Sequence, residues 1–115
     1  MWREPFAGDE GREIFMTYGL GDSFSPERTM AAFARSAALP LVRPELAGIG
    51  LTGTDAPLTA NVTVGTTMRT VGLRQYAPPA GVDGHFVSTR SDDGRADATR
   101  FVLQALAGET PVIGE

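Results

Sequence analysis

Two side chains of this sequence could form a catalytic pair. Asp22 follows the apolar run IFMTY (residues 14–18), and His85 follows the alternating segment RTVGLRQY (residues 69–76). Both stretches are predicted strands, and active sites of open α/β sheets collect beyond the carboxyl ends of the strands. If the two strands are parallel neighbours, Asp22 and His85 meet at one edge of the sheet.

The chemistry of such a pair is that of general base catalysis. A carboxylate that accepts the Nδ1–H of an imidazole fixes the tautomer of the ring and stabilises the imidazolium that forms during reaction. The other ring nitrogen, Nε2, is then free to take a proton from a nucleophile. The sequence therefore predicts Asp22 as the acid and His85 as the base of one site.

Composition excludes several other classes of function. The 115 residues suffice for one small domain, with 42% hydrophobic and 21% charged residues. The chain has no cysteine and one histidine, which excludes thiolate chemistry and a multi-histidine zinc centre. We expect no metal and no cofactor. A net charge of −4 argues against nucleic acid, and no apolar run approaches the roughly 20 residues of a membrane span.

Helix and strand signals alternate along the chain. Ser25 and Pro26 predict the start of a helix that Pro40 ends, and Leu41-Val42 predicts a short strand. Residues 44–67 are rich in Gly, Thr and Pro, which predicts a long loop with one helical turn at Glu45–Gly48.

A strand at residues 69–76 and a last helix from about Arg95 to Ala107 complete the pattern. Asp92 or Asp93 is the expected cap of this helix. Its expected buried face comprises Ala98, Phe101, Val102, Ala105 and Leu106. The order predicts an α/β fold: a partial three-layer sandwich with a short parallel sheet of about three strands and two main helices.

The segment YGLGDSFSPERTMAAFARSAALPLV (residues 18–42) is similar to a segment of the α/β-hydrolases. In that family a G-x-x-D-x-x-x-P pattern supplies the triad acid. DGHFV (residues 83–87), followed by a helix such as ATRFVLQAL (residues 98–106), resembles the family's histidine loop and final helix. REPF (residues 3–6) adds a likeness to bacterial esterase- or lipase-like members.

The resemblance covers about residues 14–107 and implies that residues 1–115 are a single, incomplete domain, the C-terminal portion of that fold. Asp22 would be the triad acid and His85 the base. The nucleophile departs from the pattern, because the chain has no G-x-S-x-G motif and no HGGG-type oxyanion loop. The expected partners are therefore an ester substrate and either an upstream part of the same hydrolase or a second chain that completes the sheet. Alone, the chain is expected to be inactive, marginally stable or self-associating.

Two other interpretations stay open. GDSFS (residues 21–25) is similar to the GDS motif of the SGNH hydrolases, which would make Ser23 the nucleophile, His85 the base and Asp83 its orienting acid. The Asp83–His85 spacing is one residue shorter than is usual in that family. The chain could also be a non-catalytic α/β interaction module whose open sheet edge pairs with a partner.

Overall fold

The computed structural model describes residues 7–115; the REPF stretch lies outside the described residues. The strands are β1 (Ile14–Gly19), β2 (Leu41–Val42), β3 (Gly53–Thr54), β4 (Val62–Val64), β5 (Thr67–Arg69) and β6 (Val71–Tyr76). The helices are α1 (Glu27–Ser36), α2 (Val87–Arg90) and α3 (Asp92–Leu106), and a 3₁₀ turn at Gly84–Phe86 precedes α2. None of these helices is long and apolar enough to cross a membrane.

Four strands form a parallel sheet in the order β1-β6-β2-β3. The two strands that precede the predicted site are neighbours, with Ile14 opposite Val71 and Gly19 opposite Tyr76. The predicted α/β class and the parallel pairing of these two strands are confirmed. The sheet has four strands rather than about three, and a separate antiparallel pair, β4-β5, accompanies it.

Helices cover both faces of the sheet. Side chains alternate along each strand, so each face contributes its own set of residues to the packing. Val71 and Leu73 of β6 share one buried cluster with alanines of α1, which include Ala34. On the opposite face, Phe101 of α3 lies in a second cluster, and its ring packs against Phe15 of β1 with the centroids 5.3 Å apart. The small α1 side chains allow close approach to the sheet.

The prediction of a long loop with one helical turn over residues 44–67 is wrong in part. The segment contains β3 and β4, and it has no helical turn at 45–48. β4 and β5 form a hairpin in which Val64 is opposite Thr67, and Gly65 adopts the positive φ (61°) that its two-residue turn requires. The predicted strand over residues 69–76 is likewise two elements, since Arg69 ends β5 and β6 begins at Val71.

The helix boundaries also differ from expectation. α1 begins at Glu27 with Pro26 as its N-cap residue, and Ser25 provides no side-chain cap. The helix ends at Ser36, before the expected stop at Pro40. α3 begins three residues earlier than predicted and is capped by Ser91, whose hydroxyl accepts from the Gly94 N–H, and not by Asp92 or Asp93.

The predicted buried face of α3 is largely wrong. Phe101 is buried, but Val102, Ala105 and Leu106 are exposed. The buried residues of the helix are Gly94, Asp97 and Phe101. The helix is rotated about its axis relative to the prediction. Asp97 bonds to polar side chains of β6, and these bonds place a charged residue where periodicity alone would place an apolar one.

β1 lies at an edge of the sheet, and in the described part of the chain it pairs only with β6. The Ile14 and Leu20 N–H groups point toward β6, so by alternation the Thr17 N–H points away from it. An unpaired edge strand is a template for pairing with another chain. We expect the 115-residue chain to self-associate through this edge.

Analytical ultracentrifugation of the chain and of its Thr17→Pro variant measures this self-association. Proline removes the outward N–H, so the variant should be shifted toward monomer while circular dichroism stays similar. A wild-type chain that is monodisperse and monomeric, with a cooperative melt above about 60 °C, near the top of the mesophile range, would contradict the expectation.

Candidate functional site

Asp22 and His85 lie side by side beyond the carboxyl ends of β1 and β6. Asp22 Oδ2 is 3.2 Å from His85 Nδ1. The carboxylate side chain is 5% exposed and the imidazole 42% exposed, so the acid is covered while the base reaches solvent. The structure thus brings together the two residues that the sequence analysis paired.

The loop between β1 and α1 (residues 20–26) orients the Asp22 carboxylate. Oδ1 accepts hydrogen bonds from the Phe24 N–H at 2.9 Å and from the Ser25 N–H at 2.7 Å. Oδ2 is left for the histidine. An ionised carboxylate can only accept a hydrogen bond, so we expect the neutral imidazole to carry its proton on Nδ1.

Two aromatic rings flank His85. The Phe24 ring centroid is 5.0 Å from the imidazole centroid, and the Phe86 centroid is 5.2 Å away, edge to face. Within residues 7–115, Nε2 of His85 has no hydrogen-bond partner. The pair therefore has the form of an oriented base with an unengaged nitrogen in a partly apolar setting.

Two glycines allow the loops that carry the pair to meet. A methyl group on Gly84 would overlap the Leu20 carbonyl oxygen and lie 2.8 Å from the Asp22 nitrogen, and one on Gly19 would overlap the Gly84 carbonyl. The Gly84 N–H also donates to the Gly21 carbonyl at 3.4 Å. The approach of the two backbones thus depends on the absence of a side chain at these positions.

Gly84→Ala is expected to separate the loops and to destabilise the fold by about 1–3 kcal/mol, as overpacking of a rigid contact does. The obstructing atoms are backbone, which cannot turn aside as a side chain can. Chemical denaturation measures the loss. Gly48→Ala is the matched control, since a methyl group there would meet only Glu45 Oε1 at 3.8 Å, an ordinary contact. Equal stability of the two variants would contradict the prediction.

Ser23 and Asp83 bond to each other and not to the imidazole. The Ser23 hydroxyl donates to Asp83 Oδ2 at 2.5 Å, and Asp83 Oδ1 accepts the backbone N–H of His85 at 2.9 Å. Among the described residues Ser23 makes no hydrogen bond to His85. The contact that a Ser23 nucleophile would need is therefore not formed, and the carboxylate beside the ring nitrogen is that of Asp22.

The sequence analysis predicted the pair, but it did not predict the bond between Asp83 and Ser23. Asp83 caps the 3₁₀ turn Gly84–Phe86, and its partner Ser23 lies 60 residues earlier. The local signal was present, since an aspartate two residues before a bonded N–H forms an Asx turn. No local signal indicates the contact with Ser23, because it depends on the pairing of β1 with β6.

In residues 7–115 no group of three or more histidine, cysteine, aspartate or glutamate side chains could hold a metal ion. Comparisons of the chain with protein-family models, with curated proteins and with solved structures found no match. The geometry of the described residues is therefore the basis of any functional assignment.

Proposed function

We propose that this chain is the C-terminal segment of a serine ester hydrolase of the α/β-hydrolase type, in which Asp22 is the triad acid and His85 the general base. The observation that carries the proposal is the 3.2 Å contact between Asp22 Oδ2 and His85 Nδ1 at the carboxyl ends of adjacent parallel strands. A carboxylate and an oriented imidazole whose Nε2 is unengaged are two of the three members of a Ser-His-Asp triad.

In the proposed reaction, His85 Nε2 takes the proton of a serine hydroxyl as the serine oxygen attacks the ester carbonyl. The Asp22 carboxylate accepts a hydrogen bond from Nδ1–H, which stays on the ring, and stabilises the imidazolium. His85 then gives the proton to the leaving alcohol, and an acyl-serine remains. His85 Nε2 then takes a proton from water as the water oxygen attacks the acyl carbonyl, and returns that proton to the serine oxygen, which releases the carboxylic acid and restores the free serine.

The nucleophile belongs to a segment other than residues 7–115 of this chain. The open edge of β1 supports this, because a further parallel strand added there would extend the sheet on the side of Asp22. Loops that follow such strands would lie at the same end of the sheet as His85. An upstream part of a longer polypeptide or a second chain would supply the strand and the serine.

A fluorophosphonate probe, which labels activated serines, tests the proposal. The chain alone should not react, whereas a protein in which the sheet is completed by the segment that carries the nucleophile should be labelled on a serine of that segment. Labelling should be lost in His85→Ala and retained in Ser23→Ala. Labelling of the isolated chain at Ser23 would overturn the proposal in favour of the GDS-type alternative. If substitution of His85 and of Asp22 leaves the labelling of the completed protein unchanged, the result would favour the interpretation of this chain as a non-catalytic interaction module.

A further inference from the structure

We infer that Asp83 is a positioning residue that maintains the contact between Asp22 and His85 by bonding to the chain neighbour of one and to the backbone of the other. This inference rests on the proposed function. Asp83 does not touch the imidazole ring through a hydrogen bond and would not contact the reacting atoms.

Two loops carry the acid and the base. Among the described residues, Asp83 makes every side-chain hydrogen bond between these loops apart from the Asp22–His85 contact. One loop is residues 20–26, and the other, the histidine loop, is residues 77–86. In the described part of the chain, the bonds between them that involve a side chain are Asp22–His85 and those of Asp83.

Asp83 bonds to Ser23, the residue after Asp22, and to the backbone of His85 itself. The Ser23 N–H lies 3.2 and 3.4 Å from its two oxygens, and the Ser23 hydroxyl donates to Oδ2 at 2.5 Å. Oδ1 accepts from the His85 N–H at 2.9 Å. Since Ser23 follows Asp22 in the chain, these bonds fix the distance between the two backbones that carry the acid and the base.

The pair needs such support because, apart from the packing of the Phe24 ring on His85, the bonds that orient each partner lie within its own loop. Asp22 Oδ1 bonds to the N–H groups of Phe24 and Ser25, which sets the carboxylate but not its distance from the histidine loop. The one backbone bond between the loops, from Gly84 to Gly21, is long at 3.4 Å. Charge-assisted bonds from Asp83 are the stronger constraint.

The lowered pKa of the Asp83 carboxyl agrees with this role. The Ser23 hydroxyl, followed by the His85 N–H, lowers the pKa of the Asp83 carboxyl below its usual value. A depressed carboxylate pKa means that the ionised form is favoured in the folded protein, so the contribution is present above the unfolded pKa and is lost as the pH falls through the folded pKa. The inter-loop bonds therefore persist into mildly acidic solution.

The sole histidine of the chain permits a direct test by nitrogen-15 NMR. At a pH where the imidazole is neutral, the wild-type chain should show a protonated Nδ1 and a downfield proton bonded to it. Asp83→Ala should lose the downfield proton signal and shift the tautomer toward Nε2–H, and Ser23→Ala should shift it in the same direction by less. Asp93→Ala, which removes an exposed aspartate of α3, is the control and should change neither signal.

The outcomes separate this inference from the proposed function. A wild-type chain without the Nδ1–H tautomer would overturn both. A wild-type chain with that tautomer and an Asp83→Ala variant that keeps it, folded by circular dichroism, would overturn the inference alone, because loss of a local turn cap would lower stability without changing the tautomer. If Asp83→Ala does not fold, Ser23→Ala decides: an unchanged tautomer and an unchanged downfield signal there contradict the inference, and a shifted tautomer supports it.

Discussion

Replacing His85 with alanine is expected to lower the kcat of ester hydrolysis by about 10⁴ to 10⁶, because loss of a triad member typically has that effect. The measurement is steady-state hydrolysis of a short p-nitrophenyl ester by the protein in which the sheet is completed. The variant removes the nitrogen that takes the serine proton, so the loss should appear in kcat, while KM changes much less.

Asp22→Asn should lower kcat by a comparable factor, because the amide can leave the imidazole in the wrong tautomer. The fold should be kept, since the amide nearly preserves the shape of the carboxylate. Asp55→Asn is the matched control: Asp55 is an exposed aspartate whose bond is to Arg43, away from His85. Its activity should equal that of the wild type. Activity of His85→Ala within tenfold of the wild type would contradict the assignment of the base.

Asp97→Ala is expected to destabilise the fold by about 3 kcal/mol, the lower end of the range for breaking a buried ion pair. Asp97 is 4% exposed and lies between β6 and α3. Its Oδ2 accepts from Arg74 and from the Tyr76 hydroxyl, both at 2.6 Å, and its Oδ1 accepts from Arg100. Alanine would leave two guanidinium groups and a buried phenol without their shared acceptor.

Urea denaturation of Asp97→Ala beside Asp92→Ala measures this loss. Asp92 is exposed, and within residues 7–115 its one ion pair is with Arg95 on the exposed surface of the same helix, so its removal should change stability by less than about 0.5 kcal/mol. Equal stability of the two variants would contradict the structural role of Asp97.

The same network predicts a loss of stability in alkali. Burial, with the Asp97 carboxylate, raises the pKa of Tyr76 well above its ordinary value of 10.0. A raised pKa means that the contribution is complete below pH 10 and is lost as the pH rises toward the folded pKa. Tyr76→Phe should flatten this dependence, and denaturation midpoints measured between pH 8 and 11 would show it.

The α/β class and the two site strands could be predicted from the sequence because the signals of the individual strands and helices are local. The apolar run before Gly19 and the alternation before Tyr76 mark two strands, and helix signals follow each of them. Parallel strands place the ends of both at one edge, which brings Asp22 to His85.

What could not be predicted depends on contacts between distant segments. The rotation of α3 follows from bonds of Asp97 to β6, which no periodicity within the helix indicates. The role of Gly84 follows from the close approach of Leu20, and that of Asp83 from Ser23. The β4-β5 hairpin, in contrast, had a local signal, because Gly65 lies between two short segments that each contain a threonine. The Gly, Thr and Pro content of the surrounding loop obscured this signal.

The ring protonation of His85 tests the central claim most directly, since the chain has one histidine and its nitrogen signals are unambiguous. In nitrogen-15 NMR at a pH where the ring is neutral, we predict a proton on Nδ1 in the wild type and its loss in Asp22→Ala, with the backbone spectrum of β1 and β6 otherwise conserved. A wild-type ring protonated mainly on Nε2, or an Nδ1 proton that persists without Asp22, would contradict the pairing of this acid with this base.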